Sequence, residues 1–128
     1  MDSQVYLYLG AALVAFLFVR RILRMRALTQ YSPSEIETRL KRKDDLILLD
    51  VRTDAERQSG AIRGSLHIPL GSLRSRLQEL EKHKARKIVC YCASGSRSVS
   101  AALLLTRNGF NAGNLRGGMA EWKLEGRR

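Results

Sequence analysis

The chain has 128 residues, and 45% of them are hydrophobic, which suffices for one domain with a modest core plus an appendage and argues against long disordered stretches. Its formal net charge of +11 raises nucleic acid as a partner. Four of the 23 basic residues lie in one run beside an apolar segment, and the others are spread along the chain. We therefore expect a solvated basic surface and no nucleic-acid partner.

The first predicted element is an apolar helix at the N-terminus. Residues 5–19 contain no charge, and the apolar run extends over residues 3–23 if Arg20 and Arg21 are included. At about 1.5 Å per residue, such a helix approaches the roughly 30 Å hydrocarbon core of a bilayer when the two arginines snorkel to the headgroups. The sequence therefore predicts a transmembrane helix over residues 3–23.

The charges around this segment favour an uncleaved anchor over two alternatives. A cleaved signal peptide carries positive charge before its apolar stretch and a small-residue cleavage site after it, whereas here Asp2 precedes the stretch and arginines follow it. A buried core helix would need a polar face for water, which residues 5–19 do not supply.

The arginine run sets the expected topology, because basic residues favour the cytoplasmic side of a membrane. We expect a single-pass membrane protein with its N-terminus outside and its domain on the cytoplasmic face, as in a bacterial inner membrane. Residues 1–26 form the predicted anchor and basic juxtamembrane segment, and residues 27–128 the predicted domain.

Helices and strands alternate after the anchor. Ser32 to Glu35 fits a capping box with Pro33 at the first helical position, which predicts a helix start there. The apolar run at residues 46–49 predicts a strand that is buried on both faces. The next predicted elements are a short helix at residues 54–58, a short strand before Pro69, an amphipathic helix with Leu73, Leu77 and Leu80, a strand at residues 87–91 and a helix at residues 98–108. This order predicts a compact α/β domain with a largely parallel sheet flanked by helices.

Two charged residues follow the strand at residues 46–49. Asp50 and Arg52 fall at its carboxyl end, the edge of an open α/β sheet where ligands bind. We interpret Asp50 as a structural acceptor for loop or arginine donors, with a solvated surface carboxylate as the alternative.

The most informative segment follows the strand at residues 87–91. It runs Cys92-Ala93-Ser94-Gly95-Ser96-Arg97 and opens a predicted helix. A thiol at a strand end before a helix N-terminus meets N–H groups and a helix dipole that favour negative charge. Such a setting lowers a cysteine pKa from about 8.5 toward 7 and stabilises the nucleophilic thiolate. Gly95 in mid-loop predicts a backbone with positive φ.

The spacing C-x-x-G-x-R after an apolar strand resembles the active-site loop of single-domain rhodaneses, sulfurtransferases that carry sulfur as a cysteine persulfide. Three other segments resemble family elements in the family's order: residues 48–52 the Asp-x-Arg element, residues 60–69 the Gly-His-Ile-Pro-Gly-Ala-x-x-Ile-Pro stretch, and residues 115–122 the closing Gly-Gly-x-x-x-Trp segment. Ala61 and Arg63 depart from the pattern, where histidine and proline are usual, and affect the pocket rim more than the reaction class.

The resemblance implies a rhodanese-like domain with Cys92 as the catalytic nucleophile. The backbone N–H groups expected to bind substrate are those of Ala93, Ser94, Gly95, Ser96, Arg97 and Ser98, and the expected supporting residues are Asp50 and Arg52. The Arg97 side chain would either pair with an anionic substrate or hold the loop against a carboxylate, and both readings stay open.

The remaining candidate residues are assigned structural roles. Cys90 lies within the apolar strand and is interpreted as core packing, with a redox role as the alternative. Trp122 is interpreted as a core anchor. His67 and His83 lack metal-ligand spacing with each other or with the cysteines, so we expect no metal and no cofactor.

The sequence thus predicts a membrane-anchored sulfurtransferase. Cys92 would take sulfur from a small anionic donor such as thiosulfate and pass it to cyanide, a thiol or a protein acceptor. The alternative is a membrane-anchored docking or scaffold module with little turnover, suggested by the anchor and by Ala61 and Arg63. A cysteine phosphatase is disfavoured because its loop needs one residue more.

Overall fold

The apolar N-terminal segment forms one long helix, α1 (Ser3–Ala27). In this computed structural model, which describes residues 2–127, the helix is long and apolar enough to cross a membrane over Ser3–Arg24, with a mean hydropathy of 1.7. None of the residues of that apolar stretch is buried in the protein, so it is not a core helix of the domain. A membrane span and a signal sequence both fit these properties. The division of the chain between residues 26 and 27 stays a prediction.

Five parallel strands form a single sheet in the order β1-β5-β4-β2-β3. The strands are β1 (Thr29–Tyr31), β2 (Leu46–Asp50), β3 (Leu66–His67), β4 (Lys87–Tyr91) and β5 (Asn111–Leu115). Because all neighbours are parallel, every strand ends on the same edge of the sheet. Asp50 pairs in register with Tyr91, which directly precedes Cys92. The predicted α/β class with a parallel sheet is therefore confirmed.

Helices connect the strands and cover both faces of the sheet. After α1 they are α2 (Pro33–Lys41), α3 (Asp54–Gln58), α4 (Leu70–Leu73), a 3₁₀ helix (Arg74–His83), α5 (Ser96–Arg107) and α6 (Gly118–Leu124). The predicted capping box at Ser32 is present and starts α2 at Pro33. The prediction of a single amphipathic helix through Leu73, Leu77 and Leu80 was wrong. Arg76 has non-helical φ/ψ angles of −118° and 16°, and the segment after α4 is a 3₁₀ helix.

The core lies on both faces of the sheet because side chains alternate along each strand. On β4, Ile88 and Cys90 pack into the cluster beneath α5, whereas Val89 and Tyr91 pack into the cluster that includes Ile36 of α2. Trp122 belongs to the second cluster at 2% exposure, as expected for a core anchor. The two clusters fix β4 firmly and thereby the position of the residue that follows it.

Candidate functional site

The loop between β4 and α5 places the Cys92 sulfur at the carboxyl edge of the sheet. Gly95 has a φ of +110°, the positive value that the sequence predicts, and precedes the first residue of α5. This conformation turns the Gly95 N–H back toward the start of the loop, where it donates to Cys92 Sγ at 3.1 Å. The loop therefore surrounds the sulfur with backbone donors.

The electrostatics of this loop favour the Cys92 thiolate. Cys92 is 0% exposed, and the Ser98 hydroxyl lies 3.4 Å from its sulfur. Burial alone would raise the pKa of the Cys92 thiol, but hydrogen bonds from the Ser98 hydroxyl and from the N–H groups of Ser98, Gly95 and Ser94 outweigh it, so the pKa is lowered. By contrast, burial raises the pKa of the Cys90 thiol well above its ordinary value, and a nearby Cys92 thiolate adds to this.

Apart from Arg97, the predicted binding residues divide into two groups. Ser94, Gly95 and Ser98 provide the groups that contact the sulfur. Ala93 turns its carbonyl toward α6, where it accepts from the Ala120 N–H at 2.9 Å. Ser96 is exposed at the first position of α5. Their N–H groups stay predicted contacts for a substrate.

Arg97 is held by a carboxylate that sequence reasoning missed. Its guanidinium donates to both oxygens of Glu56 on α3, at 2.7 and 2.8 Å. The Arg97 hydrogen bond is the main cause of a Glu56 pKa lowered to about 2. Of the two interpretations of Arg97, the structure has the one in which a carboxylate holds the loop. Thr53 and Glu56 form a capping box at the start of α3, which the sequence discloses, but their long-range partner is visible only in the fold.

Asp50 and Arg52 form a buried ion pair beside the loop. Asp50 is 0% exposed and accepts from the Arg52 backbone N–H and Nε, each at 3.0 Å, and from Nη2 at 2.8 Å. Burial would raise the Asp50 pKa, but the bonds from Arg52 and from Arg57 lower it. The alternative of a solvated surface carboxylate is therefore wrong.

This ion pair extends into a network that sequence reasoning also missed. Tyr91 donates its hydroxyl to Asp50 at 3.1 Å, and Arg57 Nη1 donates to Ser65 Oγ at 2.6 Å. Arg52 Nη2 also donates to the Gly60 carbonyl at 2.6 Å. The network ties the stretch that contains Ala61 and Arg63 to the end of β2.

Helix α6 supports the loop from beneath. The N–H of Met119 donates to the Cys92 carbonyl at 2.8 Å. This close approach depends on Gly118, which has a φ of +56° and where a Cβ would lie 2.3 Å from the Cys92 carbonyl oxygen. The role of the Gly117-Gly118 pair is thus to let a helix N-terminus reach the cysteine backbone. Among residues 2–127 no group of three or more His, Cys, Asp or Glu side chains could hold a metal ion, and the absence of metal and cofactor stays a prediction.

Comparisons with known proteins place this site in a family. Residues 32–125 match the model of the rhodanese-like domain. A sulfurtransferase of Allochromatium vinosum is 37% identical over 92 residues, covering 71% of this chain and 84% of that protein. A tRNA uridine(34) hydroxylase of Cytophaga hutchinsonii is 30% identical over 97 residues, covering 73% of this chain and 31% of that protein. The crystal structure of a rhodanese-related protein from Thermoplasma volcanium has a TM-score of 0.71 at 30% identity, covering 77% and 94% of the two chains. The chain belongs to the family of rhodanese-like domains.

Proposed function

We propose that this protein is a membrane-anchored sulfurtransferase that carries sulfur as a persulfide on Cys92. The observation that carries the proposal is the convergence of the Gly95 N–H, at 3.1 Å, and the Ser98 hydroxyl, at 3.4 Å, on one sulfur at the carboxyl edge of the sheet. These donors stabilise an anion on a nucleophile, which a structural thiol does not require. The sulfurtransferase named among the relatives supports the reaction class.

In the first half-reaction, the Cys92 thiolate attacks the outer sulfur of thiosulfate, the proposed small anionic donor. A bond forms between the two sulfurs, the S–S bond of thiosulfate breaks, and sulfite leaves with the bonding electron pair. The product is an anionic persulfide on Cys92. The backbone N–H groups of residues 93–98 are the proposed donors to the bound anion.

In the second half-reaction, a thiolate of a small thiol or a protein acceptor attacks the terminal sulfur of the persulfide. The S–S bond at Cys92 breaks, and Cys92 leaves as a thiolate that keeps the electron pair. The enzyme returns to its starting state after each pair of steps, so ping-pong kinetics are expected. Cyanide as the acceptor gives thiocyanate by the same displacement.

The proposed location is a membrane with the domain on its cytoplasmic face. Its support is the exposed apolar stretch of α1 followed by Arg20, Arg21 and Arg24. A reducing cytoplasm also suits a nucleophile that must stay a free thiol. Both cysteines are free thiols in the structure.

The test is to incubate the detergent-solubilised full chain with thiosulfate and to weigh it intact by mass spectrometry. We expect one added sulfur atom that cyanide removes. The sulfur should be absent from Cys92→Ser and present in Cys90→Ser, the matched control two residues away. No added sulfur from thiosulfate or other sulfane donors, or an addition that survives Cys92→Ser, would contradict the proposal.

One observation favours a second candidate, a docking module with little turnover. Cys92 is 0% exposed, and the Arg97 guanidinium is paired with Glu56, so it is not a free ligand for an anion. Capture of a partner protein that is unchanged by Cys92→Ser, together with no turnover by the wild type, would establish this role in place of sulfur transfer.

A further inference from the structure

A chain of polar side chains connects the Cys92 sulfur to the protein surface. Ser98 Oγ lies 3.4 Å from Cys92 Sγ and 2.5 Å from Asn114 Oδ1. Asn114 Nδ2 in turn donates to Gln30 Oε1 at 2.8 Å. Ser98 is 0% and Asn114 3% exposed, whereas Gln30 on edge strand β1 is exposed. One buried path thus joins α5, β5 and β1 behind the nucleophile.

The direction of donation along these hydrogen bonds follows from counting the hydrogens that each side chain can donate. A serine hydroxyl has one hydrogen, and at 2.5 Å that of Ser98 points to Asn114. In this arrangement Ser98 accepts a hydrogen bond from a neutral Cys92 S–H group, and the donation from Ser98 that lowers the Cys92 pKa requires the Ser98 hydrogen to turn from Asn114 to the sulfur. A thiolate needs the opposite, because it can only accept.

The reversed direction fits the same positions. A half turn of the Asn114 amide exchanges its oxygen and nitrogen, which have almost the same shape. Nδ2 then donates to Ser98 Oγ, and the Ser98 hydrogen turns to the sulfur. The matching half turn of the Gln30 amide lets its Nε2 donate to Asn114 Oδ1. No covalent bond breaks, and each hydrogen stays on its own oxygen or nitrogen.

We propose that Ser98, Asn114 and Gln30 form a reversible hydrogen-bond relay that donates to Cys92 Sγ when the sulfur is anionic and accepts from it when the sulfur is a thiol. Asn114 and Gln30 are then positioning residues that act through Ser98. In a persulfide the negative charge lies on the outer sulfur, so Sγ needs this donor only before attack and when Cys92 leaves. A role for the relay in turnover rests on the proposed function. The relay itself can be tested without turnover, through the reactivity of the Cys92 thiol.

Other charged or titratable groups surround Cys92 from the elements packed against it. Arg97 on α5 is held by Glu56, and the Cys90 thiol lies two residues back on β4. Glu121 on α6 lies beside Gly117, and Asp50 at the end of β2 is paired with arginines. None of these groups belongs to the relay, and the amide members of the relay do not ionise.

The test uses two substitutions at the exposed end of the relay. In Gln30→Glu the side chain only accepts, which holds Asn114 Nδ2 toward it and favours the thiol. In Gln30→Lys the side chain only donates, which favours the thiolate. We measure the pH dependence of Cys92 alkylation by iodoacetamide in the full chain, with Cys92→Ser as the background. Below the midpoint pH, we expect the rate to fall about threefold in Gln30→Glu and to rise about threefold in Gln30→Lys, as one hydrogen bond implies.

Direct electrostatics would move the midpoint in the same direction, so two controls are needed. Thr29→Glu and Thr29→Lys place the same charges on the neighbouring exposed position of β1, whose side chain points to the other face of the sheet. The second control repeats Gln30→Glu and Gln30→Lys in a Ser98→Ala background. Ser98→Ala removes the hydroxyl that links Asn114 to the sulfur but leaves the through-space effect of each charge intact. The difference between Gln30→Glu and Gln30→Lys should collapse in Ser98→Ala and should exceed that of the Thr29 pair.

A difference that survives Ser98→Ala undiminished, or no difference between the two Gln30 variants, would overturn the relay. Alkylation requires no sulfur donor, so its outcome is independent of sulfur transfer. A protein that takes no sulfur from thiosulfate can still show the relay, and a sulfurtransferase can lack it. Thermal unfolding of each variant confirms that the measured protein is folded.

Discussion

The reactivity of Cys92 is the balance of burial against hydrogen bonding. Burial raises the pKa of this thiol, and donors led by the Ser98 hydroxyl bring it below its ordinary value. The midpoint of the alkylation rate of Cys92 should therefore lie at a lower pH than that of a free cysteine.

Ser98→Ala removes the leading donor and should move the midpoint of alkylation upward by about one pH unit. The measurement is the iodoacetamide rate between pH 5 and pH 10. Ser100→Ala, two residues further along α5, is the matched control and should keep the wild-type midpoint. An unchanged midpoint in Ser98→Ala would mean that the backbone N–H groups alone set the pKa.

Gly118 allows the cysteine backbone and α6 to meet. Gly118→Ala combines a left-handed φ of +56° with a contact of 2.3 Å to the Cys92 carbonyl, and should lower the free energy of unfolding by about 3 kcal/mol. Gly64→Ala isolates the backbone cost, since Gly64 has a φ of +81° with nothing within 4 Å, and should cost about 1 kcal/mol. Urea unfolding measures both. Equal losses would show that the α6 contact contributes nothing.

The ion pair between Arg97 and Glu56 joins α5 to α3 across the site. The Glu56 pKa is lowered to about 2, below its unfolded value, so the stabilisation is present above pH 4.5 and is lost as the pH falls toward 2. Glu56→Gln should therefore be less stable than wild type at pH 7, by less than about 1 kcal/mol because the pair is one third exposed, and equally stable near pH 2.

Urea unfolding at a series of pH values tests the pair, with Cys92 alkylation as the second readout. Glu79→Gln breaks the exposed pair with Arg76, remote from the loop, and is the matched control. It should leave Cys92 reactivity unchanged, whereas Glu56→Gln should slow alkylation because the loop loses its tether. A loss of reactivity in both variants would point to a general loss of stability.

Elements with strong local signals were predictable from the sequence, and elements that depend on distant partners were not. The capping box at Ser32, the apolar strands β2 and β4 and the positive φ of Gly95 all follow from local chemistry. Strand β5 contains Gly113 and two asparagines, residues that disfavour strands, and so escaped prediction. It pairs with both β4 and β1, and Gly113 leaves room for the Tyr31 ring of β1, from which a Cβ at this position would lie only 2.7 Å away.

The same division applies to the candidate site. Cys92, Gly95 and Ser98 lie within seven consecutive residues, so the motif discloses them together. Glu56 reaches Arg97 from 41 positions away, and Asn114 reaches Ser98 from 16 positions away. A single sequence does not specify such pairings, because either side chain could as easily face water.

The proposed anchor makes a prediction for the intact protein. A C-terminal green fluorescent protein fusion should fluoresce in the membrane fraction, and a C-terminal alkaline phosphatase fusion should be inactive, because the arginines after the apolar stretch hold the domain in the cytoplasm. Replacement of Arg20, Arg21 and Arg24 by Gln should weaken this orientation. Replacement of three arginines of the domain by Gln, at Arg39, Arg42 and Arg74, is the control. Active phosphatase, or a mature chain that begins after α1, would favour a cleaved signal sequence.

The single polarity of the sheet determines which way the reactive sulfur faces. Arg24 of α1 lines a cavity of about 420 Å³ together with Lys87, the first residue of β4, and Arg107, the last of α5. Cys92 follows the last residue of β4, about 16 Å away at 3.3 Å per residue. With α1 in a bilayer, the sulfur would open on the side of the domain remote from the lipid. Acceptors that diffuse through the cytosol would reach it, and molecules dissolved in the bilayer would not.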